Sequence, residues 1–262
     1  MRALYTASTG MAAQEANVEL ISNNIANLRT AGFKRQRAEF QDLLYQSMRR
    51  VGSTSSDAGT IVPTGVDIGS GVKLVATPRV MSQGTIAATE KTYDVAIRGE
   101  GFFQVDLPDG RTAYTRDGSF ELDPTGQIVT ADGYVVAPGI TVPENALSVT
   151  INATGQVEAT IQGQTAPQQL GQLQLARFIN KSGLEAIGDN LFLETPASGT
   201  PLEDNPGAEG FGSVMQAYLE QSNVNAVTEI SDLIAAQRAY EMNSKVISSA
   251  DQMLQSTASM LR

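Results

Sequence analysis

The sequence contains no cysteine, no histidine and no tryptophan. Without cysteine there is no disulfide framework, thiolate nucleophile or cysteine metal site, and without histidine the commonest metal ligand and general base is missing. Any catalysis would have to rest on carboxylates, lysine, tyrosine or serine. Aromatic residues are only 6% of a chain that is 41% hydrophobic, which predicts a folded protein with a mainly aliphatic core. No run approaches the roughly 18 apolar residues of a membrane span. The N-terminal MRALYTASTG soon meets Gln14, Glu15, Asn17 and Glu19, so the continuous apolar core of a cleavable secretory signal is absent. Taken alone, these features predict a soluble cytosolic protein.

Lysine and arginine are also scarce, 18 against 28 Asp and Glu, for a net charge of −10. That balance disfavours a nucleic-acid partner, because phosphate attraction depends on clustered cations. The charge is uneven: residues 1–50 carry +3 and residues 51–262 carry −13. A basic end and an acidic body suit attraction between copies, or simply a solvated basic stretch.

The two ends carry helical patterning. Leu4, Ala7, Met11, Gln14, Val18, Ile21, Ile25 and Leu28 recur in steps of three and four, a heptad seam interrupted only by Gln14. Such a helix is about 37 Å long at ~1.5 Å per residue and too narrow in its apolar stripe to be stable alone. At the other end Leu233, Tyr240, Ile247, Leu254 and Leu261 stand seven apart, the last four preceded by the apolar neighbours Ala239, Val246, Met253 and Met260. Two readings follow: each helix lies on the central sheet, or the two ends pair as an antiparallel coiled coil with apolar surface left for neighbouring copies.

Between the helices the pattern changes to strands and turns. Val95, Ile97, Phe103 and Val105 nearly alternate, and Asp109-Gly110, Asp117-Gly118 and Asp132-Gly133 mark tight turns. The turn at Asp123-Pro124-Thr125-Gly126-Gln127 has a counterpart at Thr154-Gly155-Gln156. Residues 52–71 and 195–212 are rich in small and polar residues and read as loops or weakly paired hairpins. The predicted fold class is α+β: long terminal helices pairing as a coiled coil, with a mainly antiparallel β body between them. The expected divisions are 1–45 for the N-terminal helix and its signature, 46–94 for an extended linker, 95–212 for the β body and 213–262 for the C-terminal helix.

Candidate chemistry is thin. Gly99 and Gly101 in RGEGFF lack the third glycine and following helix of a dinucleotide loop, and serve better as permissive positions at a tight strand crossing. Asp106 with Asp109, or Glu121 with Asp123, form possible acid and base pairs, but turn chemistry explains them more simply. Arg29, Lys34, Arg35 and Arg37 form a basic cluster after the first helix, suited to the negative helix end or an acidic neighbour.

The segment ISNNIANLRTAGFKR, residues 21–35, resembles the N-terminal signature of bacterial flagellar rod, hook and hook-associated proteins. DVAIRGEGFFQVDLPDGRTAYTRDGSFELDPTGQIVTADGYVV, residues 94–136, is similar to the β-body motif of the rod and hook group, and SNVNAVTEISDLIAAQRAYEMNSKVISSADQML, residues 222–254, to the matching C-terminal signature. The stretch Gly32–Gln46 with the loop through Gly71 resembles distal-rod members most, while Arg29 departs from the small or polar residue usual there. The resemblance implies an axial structural subunit with no catalytic residues, cofactor or metal. It is expected to form a homo-oligomeric helical polymer around an export channel, touching proximal rod subunits, hook protein and the surrounding P and L rings. Export through the flagellar apparatus without a cleaved signal replaces the cytosolic expectation. Assembly candidates are Leu4, Met11, Val18, Ile25, Asn23, Asn24, Asn27, Gly32, Phe33, Gln237, Arg238, Tyr240, Ile247, Leu254 and Leu261. A proximal-rod subunit is the nearest alternative, and a secreted wall-binding or wall-cleaving β domain a more distant one.

Overall fold

The computed structural model describes residues 2–52, 64–163 and 166–260. Helix α1 spans Arg2–Ala26 and helix α2 spans Ala226–Met260, and every strand pairing among the described residues is antiparallel. The chain is therefore α+β, with a mainly antiparallel body. Its residues group into two compact units: 1–25, 36–78 and 225–262 form one, and 26–35 with 79–224 form the other.

The second unit is the β body. Its main sheet runs through strands 185–188, 191–193, 112–115, 102–106, 135–136, 128–130 and 120–122, with strand 175–177 also pairing to Phe102 and Phe103 and carrying strand 202–204. A three-stranded meander, 146–151, 156–161 and 168–172, lies in the same unit. Strands 213–216 and 218–220 pair with 95–98 and 86–88, so residues 213–224 belong to the β body and the C-terminal helix starts only at Ala226.

The expected alternation at 95–105 gives way to near-continuous burial, since Val95, Ala96 and Ile97, and Phe102 to Val105, are all inaccessible. The reason is that strand 102–106 has a core on each face. Phe103 joins a large aliphatic cluster with Ile97, Ile128, Val157, Leu173 and Leu175, whereas Phe102 faces Tyr114, Phe178 and Phe192. The second cluster is aromatic and not aliphatic, with rings meeting edge to face at centroid distances of 6.0, 6.1 and 4.7 Å. Four of the chain's fifteen Phe and Tyr residues meet on this one sheet face, with Ala176 and Leu184.

Turn chemistry follows the sequence closely at two places. Asp123 Oδ1 accepts the N–H groups of Thr125 and Gln127, and Asn152 Oδ1 accepts those of Thr154 and Gln156. Gly126 and Gly155 then adopt φ of 81° and 80°, the left-handed backbone that glycine takes without cost. Asp117-Gly118 is different. Gly118 has no left-handed backbone; a Cβ there would lie 1.7 Å from the Val95 carbonyl oxygen, so it serves a close strand approach and not a tight turn. The stretch 195–212, expected as a loop, is ordered by Ser198, which is buried, and by strand 202–204.

The other unit contains α1, α2 and two short ladders, 39–42 with 72–76 and 45–49 with 66–69. Part of the 46–71 segment is thus a ladder; residues 53–63 lie outside the described residues.

Candidate assembly site

Helix α1 closes at Ala26, two residues before the expected end of its seam. All eight seam residues, Leu4 to Leu28, are turned inward: Ala7 and Ile21 are buried, and Leu4, Met11, Gln14, Val18, Ile25 and Leu28 half-buried. Helix α2 opens on Asn225, whose Oδ1 accepts the N–H groups of Val227 and Thr228, an N-cap. Its inward stripe is only half the one expected. Leu233 and Ile247 are half-buried as predicted, but their companions are Glu229, Ala236, Asn243 and Ala250, while Val246, Met253, Leu254 and Met260 face solvent.

The two helices run antiparallel. Asn24 Nδ2 donates to Glu229 Oε2 at 3.1 Å, and a Cβ on Gly10 would meet the Asn243 side chain at 2.9 Å. Asn24 and Gly10 are fourteen residues apart, as are Glu229 and Asn243, so one register serves the whole pair. Carried on, that register sets Arg2 beside Asp251, and residues 252–260 of α2 lie beyond the described start of α1, all exposed.

The remaining assembly candidates separate into two groups. Asn24 is spent inside the chain: besides Glu229 it donates to the Gln36 carbonyl and accepts the Gln36 N–H, both at 2.9 Å. Asn27 accepts the Thr30 hydroxyl at 3.1 Å, and Gly32, with φ of 68°, packs its Cα against the Arg116–Asp117 backbone, where a Cβ would sit 2.6 Å from the Asp117 nitrogen. Phe33 is half-buried and Ile247 is turned inward. Outward-facing are Asn23, Gln237, Arg238, Tyr240 and Leu254; Leu261 lies outside the described residues. Gln237 and Tyr240 line a groove of about 340 Å³ with Glu15, Val18 and Glu241. A second groove, about 270 Å³, runs beside Arg2, Tyr5, Thr6, Gln46 and Ile68.

Among the described residues, eighteen of the twenty-three exposed large hydrophobic side chains belong to the helical unit, including Leu44 at 88%, Val227 at 75% and Met260 at 86% exposure. The larger β body carries the other five. Apolar exposure so concentrated in one unit suits a surface that neighbours cover.

The basic cluster dissolves on inspection. Lys34 is buried against Glu220, Arg37 pairs with Glu39 at 2.7 Å on the surface, and Arg29 is exposed. The carboxylates behave as turn elements. Asp109 is held below the usual carboxylate range by the Arg111 side chain and backbone N–H, and Asp123 by the Thr125 hydroxyl and the N–H groups of its turn. Groups that stay ionised this firmly are poor general acids. Among the described residues no cluster of three or more metal-ligating side chains occurs.

The sequence agrees with three family patterns in chain order: residues 4–34 with the Flagella basal body rod protein pattern, 96–159 with the Flagellar hook protein FlgE/F/G D1 domain, and 215–260 with the Flagellar basal body rod FlgEFG protein C-terminal pattern. It is 60% identical to the flagellar basal-body rod protein FlgG of Caulobacter vibrioides, with 98% of each chain aligned. Identity to FlgG of Buchnera aphidicola from Schizaphis graminum is 52%, covering 96% of each, and to FlgG of Bacillus subtilis 36% over the full length of both. The chain belongs to the FlgG family of flagellar basal-body rod proteins. As a rod protein it is a structural component of the flagellar basal body and not an enzyme, which matches a helical unit whose surface awaits neighbours.

Proposed function

We propose that this chain is the subunit of the distal rod, which self-assembles into a hollow helical drive shaft carrying motor torque to the hook. The exposed apolar surface of the helical unit carries this reading. Antiparallel α1 and α2 act as a coiled coil whose seam is Leu4, Ala7, Met11, Val18, Ile21 and Ile25 on one side and Leu233, Ala236, Ile247 and Ala250 on the other, in the layer around an export channel. The outward side chains Gln237, Arg238, Tyr240 and Leu254 contact the next copies. Asn24 and Gly32 act inside the subunit, fixing the segments that present those side chains.

The same reading assigns proximal rod subunits and hook protein as end-on partners, the P and L rings as the surrounding bearings across the periplasm and outer membrane, and the flagellar export apparatus as the route out. The segment 46–71, whose described residues include most of the ladder of 45–49 with 66–69 and the exposed Met48, Val66 and Ile68, is the candidate stiffening element. Lodged between copies, it opposes the sliding that lets a hook bend.

The deciding experiment is a density map of intact hook and basal-body complexes containing this subunit. Density between the proximal rod and the hook, with both helices ordered toward the channel, is the expected result. Density nearer the cytoplasmic membrane would assign a proximal-rod subunit, and absence from the complex would refute the reading. For the ladder, deletion of residues 46–69 is expected to soften rods in electron micrographs; straight, stiff rods would refute its role.

A further inference from the structure

The chain passes between the two units at four points, 25/26, 35/36, 78/79 and 224/225. Within the β body, the stems next to the last three of these points are tied to one another by two buried or half-buried side chains. Glu220, fully inaccessible, accepts Lys34 Nζ at 2.5 Å and the Gly84 N–H at 2.8 Å through Oε1, and Arg116 Nη1 at 3.2 Å through Oε2; its backbone oxygen accepts the Gly32 N–H at 2.8 Å. Lys34 also donates to the Ser82 carbonyl at 3.0 Å. Asn223 accepts the Arg35 N–H at 2.8 Å and donates to the Val80 carbonyl at 2.7 Å and to Ser82 at 3.1 Å. The Val80 N–H in turn donates to the Arg35 carbonyl at 2.9 Å. Every one of the three stems is therefore cross-linked to the other two.

We infer that Lys34, Glu220 and Asn223 form a clasp through which the three stems open and close on the β body as one cooperative unit. The physical consequence is sharing of load. A stem held only by its own turn peels residue by residue, whereas stems cross-linked through common acceptors must release several hydrogen bonds at once. Torque or tension reaching the body along any one stem is divided among three. The mechanical meaning rests on the rod reading, but the cooperativity does not.

Native-state hydrogen exchange on the full-length monomer, kept dilute, tests the clasp. In Asn223→Ala the Arg35 amide loses its acceptor directly, while the amides of Gly32, Val80 and Gly84 bond to other acceptors, Val80 meeting Asn223 only through its carbonyl. The clasp requires all four amides to exchange faster together, by roughly 10- to 100-fold for the two or three hydrogen bonds lost, with amides of strand 102–106 unchanged. Lys34→Met attacks the clasp from its other side and must accelerate the same set. If Arg35 alone responds, the stems are independent and the clasp is refuted. If strand 102–106 accelerates equally, or the variants fail to fold, the cluster is ordinary core and the inference is equally overturned. Exchange is read on the monomer, so this outcome is separate from where the subunit is found in the basal body.

Discussion

Glu220→Gln is the perturbation that reports most directly on how the β body is held at its stems. The native cluster places two cations, Lys34 and Arg116, around one carboxylate, with side-chain exposures of 1%, 4% and 0%. Burial pushes the Lys34 ammonium pKa down, and the Glu220 charge offsets that only in part; the same holds for the Arg116 guanidinium, which also lies 5.3 Å from the centre of the Phe102 ring. Removing the single negative charge leaves two uncompensated cations, a change that costs about 3–5 kcal/mol. Lys34→Met leaves Glu220 and Arg116 as a neutral pair and removes one donor each from Glu220 Oε1 and the Ser82 carbonyl, which keep Gly84 and Asn223, at about 1–3 kcal/mol. The double variant has one buried cation instead of two, so it is expected to be more stable than Glu220→Gln alone, with a coupling of about 1 kcal/mol or more. Urea unfolding followed by near-ultraviolet circular dichroism reads the β body through its Tyr114 and phenylalanine cluster. With a slope of about 3 kcal/mol/M, Glu220→Gln lowers the midpoint by about 1–1.7 M. A shift under about 0.3 M, or a double variant whose loss equals the sum of the singles, would refute this electrostatic account.

Tyr114, packed among Phe178 and its neighbours, has its phenol pushed up to about 12 by burial first and by Glu194 and Glu203 second. Its neutral form is favoured in the folded state, so its contribution is intact below pH 10 and is lost as pH rises from 10 towards 12; Tyr114→Phe should blunt alkaline unfolding in that range. Asp123 has the opposite sign. Its turn hydrogen bonds lower its pKa below the ordinary 3.8, so its contribution is present above that pH and lost as acid takes it through the lowered value; an NMR titration should place its midpoint below that of a free aspartate. Gly32→Ala forces a left-handed alanine against the Arg116–Asp117 backbone and should destabilise the monomer by about 1–3 kcal/mol or more, read in calorimetry as a lowered melting temperature.

Much of the fold was legible because periodicity survives translation into packing. The heptads of residues 4–28 do mark the inward face of α1, and the glycines of the two matching turns stand where left-handed backbone is needed. What stayed hidden depended on partners distant in sequence. Nothing local tells that Lys34 is core while Arg37 is surface, since the distinction comes from Glu220, 186 residues away. Asn24 carries the same lesson: a seam-end asparagine looks free to meet another subunit, yet Gln36 and Glu229 consume its amide. A search for charged residues embedded in β-rich segments, such as Arg116 in YTRDGSF and Glu220 in YLEQS, would have found two members of the buried cluster.

The composition of the helix pair argues that its folding and its assembly are coupled. The fully buried residues of α1 and α2 are Ala7, Ala13, Ile21, Asn24, Glu229, Ala236 and Ala250, while the larger seam residues Leu4, Met11, Val18, Ile25, Leu233 and Ile247 are only half-buried, so the pair removes little apolar area from water. At about 0.8 kcal/mol per buried CH₂, such a seam offsets only a small part of the 1–2 kcal/mol per residue that ordering the backbone costs. The bulky residues that would repay the cost, Val227, Ile230, Ile234, Met242, Val246 and Met253, are left exposed. It follows that the pair is weakest where α2 projects past α1 and gains most when neighbours cover it. Met253→Ser with Leu254→Ser should therefore leave the urea midpoint of the β body within about 0.3 M of the parent, since surface changes rarely exceed ±0.5 kcal/mol. The same variant should fail to join rods in cells lacking the parent protein, scored by electron microscopy of basal bodies. Normal rods from it would show that this surface is not buried on assembly, and the coupling argument would fall with it.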